Sequence, residues 1–351
     1  RIEARRLARH TRLAPRLGLD AQEARPHDDT LHLQLAETLL EGANRLVGAA
    51  AHSRRGALQS RLREAQAQVW LTPRLRLSAE WREAGQSSLD ASVITAVPAR
   101  DRELRATLRR LLDTGWVEAG LGERHGFAAQ TQLRARLFTQ WSRGLSSLLG
   151  AARNERTLDS TALAIAGARD ELSARVFYGL SGSEYVTANL WRAGYLTQNG
   201  ARLGRGNGFE TEFGHRIRIE YPDLTVRLTT ANLRFTADGN GDAATAALNP
   251  LGVVPDAGFF VPRGSRLAGL GIGFGESARE GYSRALRPFG AFARTSSSLS
   301  GSGYNASLGA GGSLFGADRL SLYWLRARGG GSSGDAILEY GLRYEYFFDR
   351  F

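Results

Sequence analysis

Apolar and polar residues alternate one by one along much of the chain. Between Arg74 and Arg82, every odd-numbered position from 75 to 81 is apolar and every even-numbered one is polar. Successive side chains of a β-strand point to opposite faces, so this pattern predicts a strand with one apolar and one polar face. The same alternation recurs over residues 133–137, 213–221, 224–229 and 338–346.

Extending this reading along the chain predicts about sixteen antiparallel strands, of which the first is the least marked. An even number allows both ends of a closed sheet to lie on the same side of a membrane. The predicted strands cover about 44–53, 61–70, 74–83, 102–111, 115–122, 127–141, 145–155, 171–180, 185–196, 209–221, 223–236, 265–276, 284–295, 303–315, 319–328 and 335–348.

The connections between these strands come in two lengths that largely alternate. Short turns are predicted at 71–73, 113–115, 142–144, 181–183, 221–223 and 316–318. Longer loops are predicted around 84–101, 156–170, 197–208, 237–263 and 329–334. Outer-membrane barrels have this asymmetry, with short periplasmic turns and longer extracellular loops.

The beginning of the chain follows a different period. Leu31, Leu35 and Leu39 are spaced as on one face of a helix, behind possible capping residues such as Asp28, which predicts an amphipathic helix at about 31–42. We therefore expect an N-terminal helical segment over 1–43 and a barrel over 44–351. The chain opens at Arg1 without Met or a signal peptide, and we expect it to be part of a longer protein.

Alternation also fits a soluble β-sandwich, but two further features favour a membrane barrel. The predicted strands often reach about 10 to 14 residues, whereas strands of globular proteins usually have about five or six. Aromatic residues also fall near predicted strand ends, where the interfacial girdles of barrels lie. These are Trp70, Trp81, Trp141, Trp191, Tyr221, Trp324, Tyr346 and Phe348.

The C-terminal segment carries a third feature. It resembles the β-signal that the outer-membrane assembly machinery reads, in which a polar residue and a Gly precede aromatic residues spaced two apart. Glu339, Gly341, Tyr344 and Tyr346 match that pattern, and Phe351 is the terminal aromatic residue.

The fold class expected is therefore all-β, a transmembrane antiparallel up-and-down barrel. Sixteen strands enclose an aqueous channel, and an Arg at the bilayer midplane on the lipid face costs roughly 2 to 4 kcal/mol, so the polar positions should face inward. The predicted pore-lining residues are Arg76, Glu80, Arg82, Glu118, Arg134, Arg136, Arg175, Glu210, Glu212, Arg216, Arg218, Glu220, Arg227 and Arg343.

Composition and charge narrow the functional classes. With 42 Gly and 9 Pro, the chain suits many short turns better than a helical or disordered protein. The formal charge is +11, but the arginines are spread through every segment, so no nucleic-acid partner is expected. There is no Cys, the six His lack the close spacing of local zinc motifs, and no hydrolase elbow occurs, so neither a metal, a cofactor nor a catalytic residue is predicted.

Several short sequence patterns resemble functional sites but have simpler structural explanations. His125 beside Glu123 is a faint candidate for an enzyme site, and His215 is expected at the membrane interface. The glycine run 269–275 alternates like a strand, either as a bare inner wall or as room for large neighbours. Residues 238–242 mimic the start of a calcium loop but lack its later Gly and Glu, which favours a surface loop.

The loop predicted at about 237–263 is unusually long and contains apolar residues, among them Val253, Phe259 and Phe260. It is expected to fold into or over the pore as a plug.

Three stretches, 70–77, 215–223 and 339–347, resemble the barrel region of the PelB family of Pel exopolysaccharide exporters. The resemblance spans about residues 30–351. It implies an upstream periplasmic scaffold of helical repeats and export of a hydrophilic, cationic polysaccharide for the biofilm matrix.

The implied partners are that polymer, outer-membrane lipids, the barrel-assembly machinery, periplasmic enzymes and a lipoprotein of the export system. An acidic lumen would suit a cationic polymer, yet Arg and Glu share the predicted lining, and acidic loop residues such as Asp238, Asp242 and Asp256 could supply negative charge at the mouth. The alternatives are an autotransporter-type translocator, with about twelve strands, and a general diffusion porin.

Overall fold

A computed structural model of the protein describes residues 13–25, 28, 31–32, 34–36, 42–239, 241–250, 256–329 and 335–348. Long strands dominate it, and each is hydrogen-bonded to a neighbouring strand on both edges. The strands are β1 (Asn44–Arg55), β2 (Leu58–Thr72), β3 (Leu75–Ser88), β4 (Arg100–Leu112), β5 (Gly115–His125), β6 (Ala129–Gln140), β7 (Leu145–Glu155), β8 (Gly167–Gly179), β9 (Glu184–Thr197), β10 (Arg202–Arg218), β11 (Leu224–Ala237), β12 (Ser265–Phe274), β13 (Arg287–Ser297), β14 (Gly301–Gly312), β15 (Asp318–Arg328) and β16 (Ile337–Phe348).

The sixteen strands form one closed barrel in which each strand pairs with its sequence neighbours and β1 pairs with β16. All pairs are antiparallel; at the closure Asn44 lies opposite Phe348 and Arg55 opposite Ile337. The predicted fold class and strand count are confirmed, including the weakly marked first strand.

The barrel has two rims of different character. The strand ends at Asn44 and Phe348 mark the terminal rim, where most connections are short turns, and the other end is the loop rim. On the loop rim, β3–β4, β7–β8 and β11–β12 are joined by residues 89–99, 156–166 and 238–264.

Two connections differ from the prediction. The long loop predicted at 197–208 is wrong, because β9 continues to Thr197 and β10 starts at Arg202. Its Gly-rich sequence is instead paired in the wall, where Gly206 and Gly208 accommodate the Tyr195 and Trp191 rings. At the terminal rim, residues 275–286 form an unpredicted long connection between β12 and β13.

The two faces of the wall have opposite chemistry. Leu77, Trp81 and Leu104 lie on the outer face and are more than a third exposed. Large apolar side chains with this exposure recur around the barrel, so the apolar stripe forms an outer belt and the polar stripe faces the lumen. A soluble sandwich would bury the apolar stripe, and it is excluded.

The predicted aromatic girdle is only partly correct. Trp81, Trp324 and Tyr346 project outward. Trp70 is buried on the inner face beside Arg76, and the Trp191 indole nitrogen donates to Glu210 at 2.9 Å. Proximity to a strand end does not set direction; strand parity does, and both residues share the parity of inward-facing neighbours.

Short helices accompany the strands, and those whose bounds lie within the described residues are α1 (Leu13–Ala24), α2 (Thr161–Ala166), α3 (Ala243–Ala246), α4 (Ala257–Phe260) and α5 (Glu276–Glu280). Of the helix predicted at 31–42, residues 31–32, 34–36 and 42 are helical, and the others lie outside the described residues. Among described residues, no helix combines the length and apolar character needed to cross a membrane.

Candidate functional site

Most side chains predicted to line a pore project into the barrel. Inward positions are occupied by Arg76, Glu80, Arg82, Glu118, Arg134, Arg136, Arg175, Glu210, Glu212, Arg216, Arg227 and Arg343. Arg218 ends β10 beside a register shift, and its guanidinium lies 3.4 Å from the Tyr221 carbonyl.

Glu220 lies outside the wall. The alternation continues to Tyr221 in the sequence, but β10 ends at Arg218, and Glu220 is an exposed residue of the turn before β11. Pro222 follows, and its lack of an amide hydrogen disfavours further pairing. Glu220 is therefore a residue of the terminal rim.

Ion pairs organise the lumen wall. The Arg105 guanidinium contacts Glu103 at 2.6 Å and Glu155 at 2.9 Å, and Glu155 also pairs with Arg134. Nearer the terminal rim, Arg109 pairs with Glu118 at 2.5 Å. These pairs neutralise much of the charge that alternation directs inward.

A second set of pairs connects the wall to the terminal rim. Arg227 pairs with Glu276 of α5 and lies 3.5 Å from Glu212. The Asp223 carboxylate accepts hydrogen bonds from the backbone nitrogens of Glu276 and Ser277, at 2.9 and 3.2 Å. These contacts hold α5 against the inner wall.

The glycine run of β12 makes this approach possible. A Cβ atom at Gly273 would lie 2.8 Å from a Glu276 carboxylate oxygen and 2.9 Å from the Arg227 guanidinium. At this position the glycine therefore makes room for large neighbours, which was one of the two readings of the run.

Beneath the loop rim, the lumen contains a cavity of about 570 Å³. Its lining includes Arg136, Glu171, Arg175, Trp191 and Glu210. Carboxylates, guanidinium groups and an indole ring thus surround one space. Such a space can hydrogen-bond a hydroxyl-rich ligand while offering it an apolar ring face.

The loop-rim end of the lumen is filled by a plug, which we define as residues 156–166 together with Ile94, Leu248, Phe260 and Val261. All four of those residues join the helix α2 side chains Leu163 and Ile165 in one buried hydrophobic cluster. The same cluster includes Leu58 of β2 and Tyr195 of β9. These strands lie seven steps apart in the ring of sixteen, so the cluster crosses the mouth of the barrel.

Hydrogen bonds attach residues 156–166 to both sides of the barrel. On one side, Arg55 of β1 donates to the Leu158 carbonyl at 3.0 Å, and Thr161 donates to Asp335 at 2.8 Å. On the other, the Gln198 side chain donates to the Ile165 carbonyl at 2.9 Å. The plug therefore spans the lumen.

Arg124 is the central polar anchor of the plug. It is 0% exposed and forms two hydrogen bonds, of 3.1 and 2.8 Å, with Asp101, which is 1% exposed. Its remaining donors contact the carbonyls of Ala164, Ile165 and Gly167 at 3.0, 3.2 and 2.8 Å. One wall arginine thus satisfies three carbonyl groups at the C-terminal end of α2.

The loop 238–264 contributes to the plug as well. Ser160 caps α2 by accepting from the Leu163 backbone at 3.1 Å, and its hydroxyl donates to the Phe260 carbonyl at 2.5 Å. The Thr95 hydroxyl donates to the Ala247 carbonyl at 2.7 Å, which joins a second loop to the same cluster. Val253, Val254 and Asn240 lie outside the described residues.

Two acidic residues of this loop have structural partners. Asp238 accepts two hydrogen bonds from Arg202, at 3.0 and 2.7 Å. Burial opposes ionisation of Asp242, but hydrogen bonds from Thr245 and Thr197 outweigh it, so the pKa of Asp242 lies below its ordinary value. Both carboxylates are therefore engaged in holding the loop.

The C-terminal pattern has a visible structural basis. Tyr344 and Tyr346 project outward from β16, and Glu339 and Gly341 face inward. The Tyr323 hydroxyl donates to Glu339 at 2.9 Å, and a Cβ atom on Gly341 would lie 2.9 Å from that hydroxyl. Phe351 lies outside the described residues, and recognition of the segment as a β-signal stays a prediction.

The weak chemical candidates lie away from the lumen. His125 and Glu123 contact each other at 3.0 Å on the outer face, and His215 lies on that face beside Glu184 at 3.5 Å. In the described ranges, no group of three or more acidic or His side chains is arranged to hold a metal ion.

Neither helix α2 nor the role of Arg124 in anchoring it was predicted from the sequence. The signal was an uncharged run, Thr161–Ala166, directly after the capping residue Ser160 in a segment treated only as a loop. Arg124 gave no separate signal, because its strand alternates like the others.

A closed barrel with an apolar outer belt and a polar interior defines a transmembrane β-barrel of the outer-membrane type. A family model described as PelB, C-terminal beta barrel domain, matches residues 40–347. The chain belongs to this family, and its location is the cell outer membrane.

One solved structure supports the fold, and two others show a weaker similarity. A bacterial polysaccharide outer membrane secretin superposes with a TM-score of 0.61 at 10% identity, covering 87% of this chain and 98% of that one. CdiB from Acinetobacter baumannii has a TM-score of 0.49 at 8% identity, covering 87% and 60%. OccK11 (OpdR) from Pseudomonas aeruginosa has a TM-score of 0.45 at 11% identity, covering 88% and 96%. No curated protein matches the chain.

Proposed function

We propose that this barrel exports a hydrophilic, Pel-like exopolysaccharide across the outer membrane for the biofilm matrix. The observation that carries the proposal is a PelB-family barrel whose polar lumen holds a charged and aromatic cavity beneath a plugged mouth. The secretin-like fold neighbour, whose name refers to polysaccharide, is consistent with this assignment.

The chemistry of the cavity suits a sugar polymer. Sugar hydroxyl groups donate and accept hydrogen bonds, so they can pair with Glu171, Glu210 and Arg136 in turn. The Trp191 ring offers the apolar surface against which a sugar ring can lie. For a cationic polymer, we propose that Glu210 supplies local negative charge together with Glu171, which also pairs with Arg169 at 2.7 Å, in place of Asp238 and Asp242.

In this proposal, the predicted inward residues line the export path, and the chain has no enzymatic role. The plug closes the path at rest and leaves the mouth when the polymer passes. Residues 1–43 form the end of a periplasmic helical scaffold that precedes the barrel over 44–351. The barrel-assembly machinery, periplasmic enzymes and an export lipoprotein are the proposed protein partners.

The autotransporter alternative is disfavoured because it called for about twelve strands, and the barrel has sixteen. The charged cavity beneath the plug also favours a dedicated path over a general diffusion porin, whose channel would be open.

Deleting the gene and assaying secreted polysaccharide by composition tests the proposal. We expect secretion to stop, the wild-type gene to restore it, and the Glu171→Gln, Glu210→Gln double variant to restore it only in part. A variant with Glu123→Gln on the outer face is the matched control and should restore it fully. Unchanged secretion after deletion would remove the export assignment while leaving the fold intact.

A further inference from the structure

A group of arginines lies on the outer face of the barrel, close to the loop rim. On β9, β10 and β11, Arg192, Asn207 and Arg234 lie directly opposite one another and share the outward face. Adjacent strands are about 4.8 Å apart, so the Cα atoms of the two arginines lie roughly 10 Å apart. Arg205 on β10 and Arg266 on β12 extend the group, which we call the outer arginine site.

These arginines have few acidic partners. Arg205 lies 3.7 Å from Asp238, and in the described part of the chain Arg192, Arg234 and Arg266 have no carboxylate within ion-pair distance. All four are exposed. By contrast, the inward arginines nearby are paired, as Arg169 is with Asp159 and Glu171. Three of the four arginines of the outer arginine site therefore present unpaired positive charge to their surroundings.

On β9 to β12 the positive charge lies mainly toward the loop rim, although Arg218 lies opposite Leu224 at the terminal end of β10. At the terminal end, the outward positions of the same strands carry Glu184, Ile217, Leu224 and Phe274. Outer-membrane barrels place short turns in the periplasm and longer loops outside the cell, so the loop rim lies at the level of the outer leaflet. The outer arginine site thus faces the headgroup region of that leaflet.

An apolar depression adjoins the arginines. It has a volume of about 860 Å³, and its lining includes Arg192 and Arg234 together with Leu149, Leu172 and Phe209. Those three apolar residues belong to the outer belt, and each is at least 45% exposed. Positive charge therefore lies toward the rim, and a groove suited to hydrocarbon lies toward the membrane centre.

We propose that the outer arginine site binds a phosphorylated, multi-chain lipid of the outer leaflet. Arginine pairs with phosphate through two parallel hydrogen bonds, and phosphate charge would relieve the repulsion among the four guanidinium groups. The acyl chains would lie in the adjoining depression. A soluble anion would use only the arginines and leave the depression unexplained. The inference is independent of what the lumen exports.

Lipid binding by the full chain in detergent tests the inference. The probes are lipid A with two phosphates, the same lipid with its phosphates removed, and inorganic phosphate, each titrated by native mass spectrometry. We expect the bis-phosphorylated lipid to bind most tightly. The Arg192→Gln, Arg234→Gln double variant should weaken it about 100-fold, roughly tenfold for each lost charged contact.

Two further variants keep the result interpretable. Arg110→Gln removes an outward arginine at the terminal end of β4 and should leave binding unchanged. Arg192→Lys with Arg234→Lys keeps the charge but loses the planar fork, so an intermediate loss is expected. Circular dichroism should report the same β-sheet content in all variants.

Equal binding of the dephosphorylated lipid would contradict the inference, as would full retention of binding in the double Gln variant. If inorganic phosphate bound as tightly as the lipid, the site would be one for a free anion and the lipid assignment would be wrong. A loss of binding that the Arg110→Gln control shares would equally count against a localised site.

Discussion

Arg124→Gln is the substitution expected to open the plug. In the docked state Arg124 pairs with the buried Asp101 and donates to three carbonyl groups at the end of α2. Glutamine has two amide hydrogens and no charge, so it cannot replace both sets of contacts. Arg156, 3.5 Å from Asp101, would compensate only part of the lost charge.

The size of the effect follows from the burial of the pair. Removing one partner of a buried ion pair costs about 3–5 kcal/mol, because the other charge is left uncompensated. Undocking the plug gives Asp101 and the freed carbonyl groups access to water, so the cost falls on the docked state. At about 1.4 kcal/mol per tenfold, the ratio of open to closed barrels should rise roughly 100- to 3,000-fold.

Single-channel recording in planar bilayers measures this ratio as the fraction of time that the barrel conducts. Arg102→Gln is the matched control, since Arg102 lies on neighbouring β4 at the same rim but pairs outward with Glu83 at 2.5 Å. It should behave like the wild type. An Arg124→Gln barrel that folds normally and conducts no more often than the control would refute this account of the plug.

Three further results are expected. Deleting residues 240–258 should raise bilayer conductance, because it removes Leu248 from the plug; an unchanged conductance would defeat the assignment of this loop to the plug. The pKa of Asp242 is lowered in the folded loop. Its ionised form therefore stabilises the loop at pH values above the unfolded pKa of about 3.9, and this stabilisation is lost as the pH falls through the lower folded pKa. Conductance should therefore rise on acidification below about pH 4, and Asp242→Asn should abolish that step. Tyr346→Ser should reduce the amount of heat-modifiable, folded barrel in outer membranes without changing synthesis, and wild-type levels would argue against the β-signal.

The wall of the barrel could be predicted because its physical rule is local. Membrane barrels leave lipid on one face and water on the other, and this forces a period of two on every strand, as at Leu75–Trp81. The same period predicted even the weakly marked strand β1, which closes the barrel by pairing with β16. Strand parity also decides whether a residue faces lipid, as Trp70 and Trp191 demonstrate.

The contents of the lumen could not be predicted in the same way. Helix α2 is stabilised by contacts with strands far away in the sequence, such as Leu58 and Tyr195, and no periodicity encodes them. Likewise, Glu276 reaches Arg227 only because two strands and a turn bring them together. The sequence predicted that the loop at about 237–263 would fold into or over the pore, but the principal plugging segment is 156–166.

The orientation of the wall is tested most directly by cysteine scanning of β3. The native chain has no Cys, so each of residues 76–81 can be replaced singly and labelled in intact outer membranes. Positions 76, 78 and 80 should react with a small water-soluble maleimide. Positions 77, 79 and 81 should resist this reagent. When a fluorophore is attached at these positions instead, a quencher confined to the lipid should quench its emission. Reactivity without a period of two, or with the reverse assignment, would contradict a barrel whose apolar stripe meets lipid.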